Sequence, residues 1–288
     1  MSNYVIFTDS ACDIKQETLN EWGVKYCALS FTFSGEERQY SNYDLTAKEF
    51  YQRMRDGASA KTSAANTEGF IDLFEPELKN GNDVLYLGFS SGLSGTYNCA
   101  RMAGEELSEK YPERKIITID TLSASAGFGL MLYLTVRKKE EGATLEEAAA
   151  YAESLKAHLC HWFTVDDLVY LKRGGRISPT VALVGSVLGI KPVLHMDDEG
   201  HLISRFKVRG RKAAIKALAD KFGELAQENG RDHIFISHGD CMEDALTLKK
   251  ILGETYAVDV EIITDVGPVI GAHSGPGTLA LFFIGKTR

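Results

Sequence analysis

The sequence is short of paired cysteines and of net positive charge. Its five cysteines are scattered along 288 residues and never form a C-x-x-C pair. That pattern favours a reducing compartment over a framework of disulfide bonds. The formal net charge of -8 argues against general nucleic-acid binding, because such proteins depend on an excess of basic side chains.

The chain also lacks an apolar stretch of the kind that crosses a membrane. The longest uncharged run, residues 266–285, contains five glycines and two prolines. A lipid-exposed helix tolerates such residues poorly, so turn and strand are predicted there and not a membrane span. Residues 4–7 already read as a strand, and no basic and apolar signal peptide precedes them. We therefore expect a cytoplasmic protein without stable membrane insertion.

What the chain has is a globular composition and a recurring strand-turn-helix pattern. Its 288 residues allow one large or two ordinary domains, and 44% of them are hydrophobic, which is enough to bury a sizeable core. In three places an apolar strand runs into a Ser/Thr-rich turn and then a helix, with turns at residues 8–13, 90–96 and 120–127. This alternation predicts a mainly parallel sheet flanked by helices, with ligands beyond the carboxyl ends of its strands.

The pattern changes near residue 157, which divides the chain into two predicted α/β domains, 1–157 and 158–288. A hairpin across residues 197–200, together with later strands and helices, predicts a mixed sheet with helices in the second domain. Four individual elements bear on the later comparison with the structure. These are a strand at 25–33, a loop at 61–68, a helix at 180–188 capped by Ser178, and a glycine-rich loop at 267–277.

The turn at residues 90–96 is the first candidate for ligand binding. It consists of serine, glycine, leucine and threonine between an apolar strand and a helix. The unpaired N–H groups and partial positive charge of a helix N-terminus suit an anion. Because no lysine or arginine lies in the turn, we expect a carboxylate there and not a polyphosphate. The three hydroxyl-rich turns together predict a polar crevice that has neither a metal nor a basic side chain.

Three other polar segments each have a functional and a structural interpretation. Residues 8–13 either contact the ligand or cap the following helix. Thr62 and Ser63 lie before the next predicted helix cap, so they are either ligand contacts or part of a surface loop. His273 either donates a hydrogen bond to an anion, from a glycine-rich segment that permits close approach, or is exposed in a structural turn.

A serine hydrolase is the alternative function. Residues 88–92 match G-x-S-x-G, the nucleophile elbow of α/β-hydrolases, with Ser90 as the nucleophile. Asp265 and His273 follow in the order that such enzymes use. Against this interpretation, residues 92–95 separate the serine from the helix, and the second half of the chain lacks a continuing parallel-sheet pattern.

A basic segment lies between residues 166 and 216. It has ten Lys and Arg against five Asp and Glu, and it is either a solvated face or a docking surface for an acidic partner. Nucleic acid is disfavoured because interleaved aromatic residues are nearly absent. His158 and His161 flank Cys160 without further ligands at zinc spacing, so no metal site is predicted.

Several short motifs in a fixed order resemble those of the DegV family of bacterial fatty-acid-binding proteins. The resemblance covers nearly the whole chain. The motifs are T-D-S at residues 8–10, K-T-S at 61–63, S-S-G-L-S-G-T-Y at 90–97, L-x-x-G-G-R-I-S at 171–178, I-K-P-V-L at 190–194, V-R-G at 208–210 and H-S-G-P-G at 273–277.

The resemblance implies a non-catalytic, two-domain α/β protein that holds one long-chain fatty acid in an internal tunnel, with no cofactor. Thr62 and Ser94 match the positions that bind the carboxylate in the family, and His273 is a neighbouring candidate. Some family members present the acid to a fatty acid kinase for phospholipid synthesis. Further residues are candidates to lie near the ligand or to dock the kinase. Those near the ligand are Ser63, Ser91, Gly95 and Ser125, those for docking are Arg173, Arg176 and Arg209, and the tunnel walls are residues 128–136 and 181–190.

Overall fold

The structure is a computed structural model that describes residues 3–177 and 189–288. The predicted helix at 180–188 and its cap Ser178 lie outside the described residues. The described strands are β1 (Tyr4–Asp9), β2 (Lys25–Cys27), β3 (Ser30–Phe33), β4 (Gln39–Ser41), β5 (Ala60–Ser63), β6 (Asp83–Gly88), β7 (Ile116–Asp120), β8 (Leu159–Thr164), β9 (Ile190–Met196), β10 (Leu202–Arg209), β11 (Phe235–His238), β12 (Ile262–Asp265) and β13 (Leu279–Ile284). The described α-helices are α1 (Gln16–Glu21), α2 (Ala47–Arg55), α3 (Thr67–Lys79), α4 (Thr96–Lys110), α5 (Ser125–Glu140), α6 (Leu145–Leu155), α7 (Val169–Arg173), α8 (Arg211–Leu225), α9 (Met242–Tyr256) and α10 (Pro268–Ser274).

The first sheet has four parallel strands in the order β2-β1-β6-β7. Successive side chains of a strand point to opposite faces, so an apolar strand can pack on both sides. Val84 and Tyr86 of β6 pack with helices α3 and α4, whereas Leu85 and Leu87 belong to the core that contains α5 and α6. Both faces are therefore covered by helices, as the alternating pattern predicts.

The second sheet has six strands in the order β10-β9-β8-β13-β11-β12. Only β11 and β12 pair in parallel, and the other neighbours are antiparallel, which makes the sheet mixed. Helices α8 and α9 cover one face through residues such as Leu218 and Leu248, which pack on Leu281 and Phe283 of β13. The predicted fold class, a parallel sheet and a mixed sheet each flanked by helices, is confirmed.

Helix α5 lies between the two sheets. It packs on β8, β11 and β13 of the second sheet and on α6 beside the first. Its first eight residues are all buried, because a helix that is apolar on every side has to be covered on every side. The core around α5 joins Leu87 of the first sheet to Phe282 of the second. The predicted boundary at residue 157 falls between α6 and β8, and independent folding of the two parts stays a prediction.

A small antiparallel sheet, β4-β3-β5, lies outside both predicted sheets. The strand predicted at 25–33 is wrong as one element, because residues 25–27 pair with β1 and residues 30–33 pair with β4 and β5. The predicted loop at 61–68 is also wrong at its start, since Thr62 lies in β5 opposite Phe31. Hydrogen bonds to β3 impose the extended conformation on this polar segment.

The predicted glycine-rich loop at 267–277 contains helix α10. Pro268 occupies the first turn, where its missing N–H costs nothing. The helix ends at Gly275, which adopts a φ of +80°, a conformation that glycine accepts readily. Among the described residues, no helix is long and apolar enough to cross a membrane.

Candidate functional site

A cavity lies between the two sheets, beyond the carboxyl ends of β6 and β7. The space between its walls is about 980 Å³, including the part open to solvent. Most of the described lining residues are apolar. They are Leu29, Ala64, Phe89, Leu93, Ala124, Phe163, Leu171, Met196, Leu202, Val266, Val269, Ile270, Ala280 and Phe282. Pockets for small molecules are commonly apolar with a few placed polar groups, and the polar groups here define what the cavity can bind.

Thr62 and His273 form the first polar contact in the cavity wall. Thr62 Oγ1 lies 2.8 Å from His273 Nε2, which joins β5 to α10. Burial, together with the charge of Arg176, lowers the pKa of His273 to about 4. The imidazole is therefore neutral near pH 7. Its Nδ1 has no hydrogen-bond partner among the described residues.

Ser94 and Gly95 bring the start of α4 to the same cavity. Ser94 Oγ accepts a hydrogen bond from the Thr96 N–H at 3.2 Å and lies 3.0 Å from the Thr96 hydroxyl. Gly95 occupies the N-cap position and makes no side-chain cap, so the first N–H groups of this 15-residue helix face the turn. The predicted strand, turn and helix around residues 90–96 are all present, and the helix end adds partial positive charge to the site.

Arg176 adds a full positive charge. Its side chain lines the cavity and is half-buried, with Nε donating to the Leu93 carbonyl at 3.1 Å and Nη1 donating to Gly174. The prediction of a crevice without a basic side chain is therefore wrong. The turn itself contains no lysine or arginine, but Arg176, 83 positions after Leu93 in the chain, lies beside it. Arg176 was predicted as a docking residue, and its guanidinium lies in the cavity wall.

The other predicted site residues divide between the cavity and the surface. Ser63 and Ser125 line the cavity. Ser91 is exposed and outside the described lining, and its N–H donates to Asp120. Arg173 and Arg209 are exposed, as docking residues would have to be. Of the predicted tunnel walls, residues 128–136 pack in the core and do not line the cavity, and 181–188 lie outside the described residues.

Ser90 has a structural role in the turn after β6. Its hydroxyl donates to the Gly200 carbonyl at 2.9 Å and accepts from the Gly92 N–H at 3.2 Å. A Cβ added to Gly92 would lie 2.8 Å from the Gly200 oxygen. The G-x-S-x-G match therefore marks the point where the β9–β10 turn packs closely on the turn after β6.

The other two members of the proposed triad have different partners. His273 contacts Thr62, and Asp265 lies 3.6 Å from His238 Nδ1. The geometry thus gives no support to a hydrolase that uses Ser90.

The segment at residues 8–13 supports the site and does not line it. Asp9 caps the short 3₁₀ helix Ser10–Cys12 and accepts hydrogen bonds from the Phe89 N–H and the Tyr86 hydroxyl. Burial raises the pKa of Asp9 to about 6. This carboxyl positions the start of the turn after β6. The predicted capping of the helix that follows is wrong, because α1 has Lys15 at its N-cap and no side-chain cap.

Sequence reasoning missed His161, Ser237 and the cavity role of Arg176. The sequence suggests a role for His161 only as a zinc ligand, whereas in the structure this residue lines the cavity. Among the described residues, no group of three or more metal-ligating side chains could hold a metal ion. The two glycines before Arg176 in the L-x-x-G-G-R-I-S motif are the available signal, because adjacent glycines indicate a turn with special backbone requirements.

The two sheets and their helices surround a largely apolar cavity with a few polar side chains and one guanidinium in its wall, an arrangement typical of α/β proteins that bind small molecules. A family model described as an uncharacterised protein of the DegV family matches residues 3–286. The chain belongs to the DegV family.

Relatives match along almost the whole length. A DegV domain-containing protein from Clostridium perfringens is 43% identical over 290 residues, covering 100% of this chain and 99% of the relative. One from Streptococcus pyogenes is 33% identical over 284 residues, with 98% of each chain covered.

Two solved structures share the fold at a TM-score of 0.88 and 30% identity. One is a fatty-acid-binding DegV family protein from Thermus thermophilus, which is similar over 98% of this chain and 99% of its own. The other is a stearic-acid-binding protein from Eubacterium ventriosum, similar over 98% of each chain.

Proposed function

We propose that this protein binds one long-chain fatty acid, with the carboxylate at Thr62 and Ser94 and the acyl chain in the apolar cavity. The observation that carries the proposal is the composition of the cavity wall. It is apolar over most of its residues and has hydroxyl groups, two neutral imidazoles and one guanidinium among them. The two solved structures at 30% identity support the same ligand class, since both are of proteins that bind fatty acids.

The hydroxyl groups of Thr62 and Ser94 can donate the hydrogen bonds that a carboxylate accepts. A carboxylate only accepts hydrogen bonds, so Thr62 has to donate to it. Thr62 can do so when His273 carries its hydrogen on Nε2 and donates to Thr62 Oγ1 across their 2.8 Å contact. Ser94 Oγ accepts a hydrogen bond from the Thr96 N–H. The Ser94 hydroxyl hydrogen is therefore free for the ligand when it is not donated to Thr96 Oγ1. His273 is thus a positioning group for Thr62.

The acyl chain supplies most of the affinity. Moving each CH₂ group from water into an apolar cavity stabilises the complex by about 0.8 kcal/mol. The head-group contacts have to offset the desolvation of the carboxylate, which would be expensive to bury without hydrogen bonds. The guanidinium of Arg176 in the cavity wall helps to offset the desolvation of the carboxylate, because hydrogen bonds between charged groups are stronger than those between neutral groups.

We further propose that the protein is a cytoplasmic carrier without catalytic activity, which presents the fatty acid to a kinase. Arg173 and Arg209 are the docking candidates, because both are exposed within the basic segment. Reversing both charges should leave fatty acid affinity unchanged and abolish acyl-phosphate formation by the kinase. Unchanged phosphorylation would contradict the docking role alone.

Mass spectrometry under native conditions tests the ligand class. The protein as purified should have an added mass equal to one long-chain fatty acid, and organic extraction should remove it. The extracted protein should regain one equivalent of added palmitate or oleate. A lipid-free protein that also fails to bind either acid would overturn the proposal.

A further inference from the structure

The cavity has a second polar region besides the one around Thr62 and Ser94. It consists of His161 on β8, Ser237 on β11 and Ser125 at the start of α5, which line the same cavity. Their side chains are more than nine-tenths buried, with 3%, 0% and 6% exposure. Three polar side chains from three elements therefore lie in a wall that is otherwise mainly apolar.

The unpaired atom in this region is Nε2 of His161. Nδ1 of the ring lies 3.1 Å from the Leu159 carbonyl. Since a carbonyl only accepts, Nδ1 carries the hydrogen and Nε2 presents a lone pair. Burial lowers the pKa of His161 well below its ordinary value, so the ring stays neutral. Nε2 has no hydrogen-bond partner among the described residues, and a buried acceptor without a donor is costly.

Neighbouring residues hold the His161 ring in this position. A Cβ added to Gly127 in the first turn of α5 would collide with the ring at Nε2, so only glycine leaves room for it. The Phe282 ring packs against the imidazole with centroids 5.4 Å apart and an interplanar angle of 84°. The acceptor is therefore fixed at the cavity wall beside an apolar surface.

The two serines form a hydrogen-bond chain anchored outside the cavity. Ser125 Oγ lies 2.5 Å from Asp13 Oδ2 and 2.9 Å from Ser237 Oγ. Asp13 is itself fixed by the Gly267 N–H at 3.0 Å. Ser237 ends this chain at the cavity, where its hydroxyl can exchange a hydrogen bond with a ligand.

We propose that His161 forms a second ligand subsite, with Ser237 in the same cavity wall, and that it recognises a hydroxyl group carried on the acyl chain. The ligand hydroxyl donates to His161 Nε2, which has no hydrogen-bond partner among the described residues. An unsubstituted chain fills the same space but leaves Nε2 without a donor. The preferred ligands are then hydroxylated long-chain fatty acids. The inference rests on the proposed function, because head group and subsite share one cavity.

Competition binding with stearate and a series of hydroxystearates, each with its hydroxyl at a different carbon, tests the subsite. At least one isomer should bind the wild-type protein about tenfold more tightly than stearate, as expected for one additional buried hydrogen bond. His161→Phe should abolish that preference while keeping stearate affinity. Thr62→Ala is the matched control, because it should weaken both ligands by the same factor and leave their ratio unchanged.

Thermal unfolding first establishes that the variants fold. Should His161→Phe fail to fold, His161→Leu replaces it and is expected to abolish the preference as well, because leucine also lacks the acceptor nitrogen. If no isomer binds more tightly than stearate, or if the preference persists in the variant, the subsite is contradicted. A protein that binds neither stearate nor any hydroxystearate would contradict the proposed function instead.

Discussion

Thr62 Oγ1 and His273 Nε2 lie 2.8 Å apart, although 211 positions separate the two residues in the chain. The contact joins β5 of the small antiparallel sheet to α10, which precedes the last strand of the second sheet. One hydrogen bond therefore orients a proposed ligand-binding hydroxyl and connects the two halves of the chain at the cavity. Both parts of the fold have to be assembled before the proposed carboxylate site exists.

The serines of the turn after β6 give a matched pair of variants. Ser94→Ala should weaken fatty acid binding by about tenfold or more, since a hydrogen bond to a charged group contributes about 1.5–3 kcal/mol. Ser91→Ala should leave affinity unchanged, because Ser91 is exposed and outside the described lining. Titration calorimetry measures both. Equal effects of the two substitutions would refute the assignment of Ser94.

Arg176 and Arg173 form a second matched pair, three positions apart. Arg176→Ala should lower the affinity for a fatty acid by about tenfold, and much less for the corresponding fatty alcohol, which lacks the negative charge. Arg173→Ala should change neither affinity, because this side chain is exposed and packs over the Tyr170 ring. A fluorescence displacement assay with both ligands measures the difference. Loss of acid and alcohol binding to the same extent would contradict an electrostatic role.

Asp13 should make stability depend on pH. Burial, the dominant cause, raises its pKa from 3.8 to about 8, with smaller contributions from Asp265 and Asp9. Between these values the folded state holds a proton that the unfolded state has lost, so this contribution to stability falls as pH rises from about 4 to about 8. The slope is at most about 1.4 kcal/mol per pH unit.

The variant Asp13→Asn removes this titration. Urea unfolding at several pH values should show the free energy of unfolding of the wild type falling relative to that of the variant as pH rises through this window. Parallel curves for the two proteins would show that Asp13 is not protonated in the folded state.

Gly200 should tolerate substitution less well than Gly35, although both have positive φ, +77° and +89°. A Cβ on Gly200 would collide with Ser90 Oγ, whereas one on Gly35 meets nothing within 4 Å. Gly35→Ala should cost about 1–2 kcal/mol for backbone conformation alone. Gly200→Ala should cost about 1–3 kcal/mol more because of crowding. Chemical denaturation compares them, and equal losses would contradict close packing of the β9–β10 turn on Ser90.

The two main sheets could be predicted because their strands are apolar and bounded by clear turns. The run Asp83–Gly88 is buried throughout and is followed by the expected turn and helix. Strand β5 could not be predicted in the same way. Lys61, Thr62 and Ser63 have no apolar alternation, and their extended conformation comes from pairing with β3, which is a long-range effect. Helix α10 could not be predicted because Gly271 inside it lowers helix propensity and Gly267 and Gly275 flank its seven residues.

The sequence allowed us to predict which polar residues belong to the candidate site more readily than what each of them does there. Thr62, Ser94 and His273 line one cavity, and their ligand contacts stay a prediction. Arg176 could be assigned only to a basic segment, because its position beside Leu93 depends on how the chain folds back. His161 carried no signal for a cavity role, since its significance lies in an unpaired nitrogen and in the space beside Gly127.

The crystal structure of the protein bound to stearate brominated at its methyl end tests the central claim most directly. Anomalous scattering locates the bromine and the electron density locates the carboxylate. We predict carboxylate oxygens about 3 Å from Thr62 Oγ1 and Ser94 Oγ, with the bromine enclosed among apolar lining residues such as Phe163 and Phe282. A carboxylate away from both hydroxyls, or an acyl chain outside the cavity, would contradict the account.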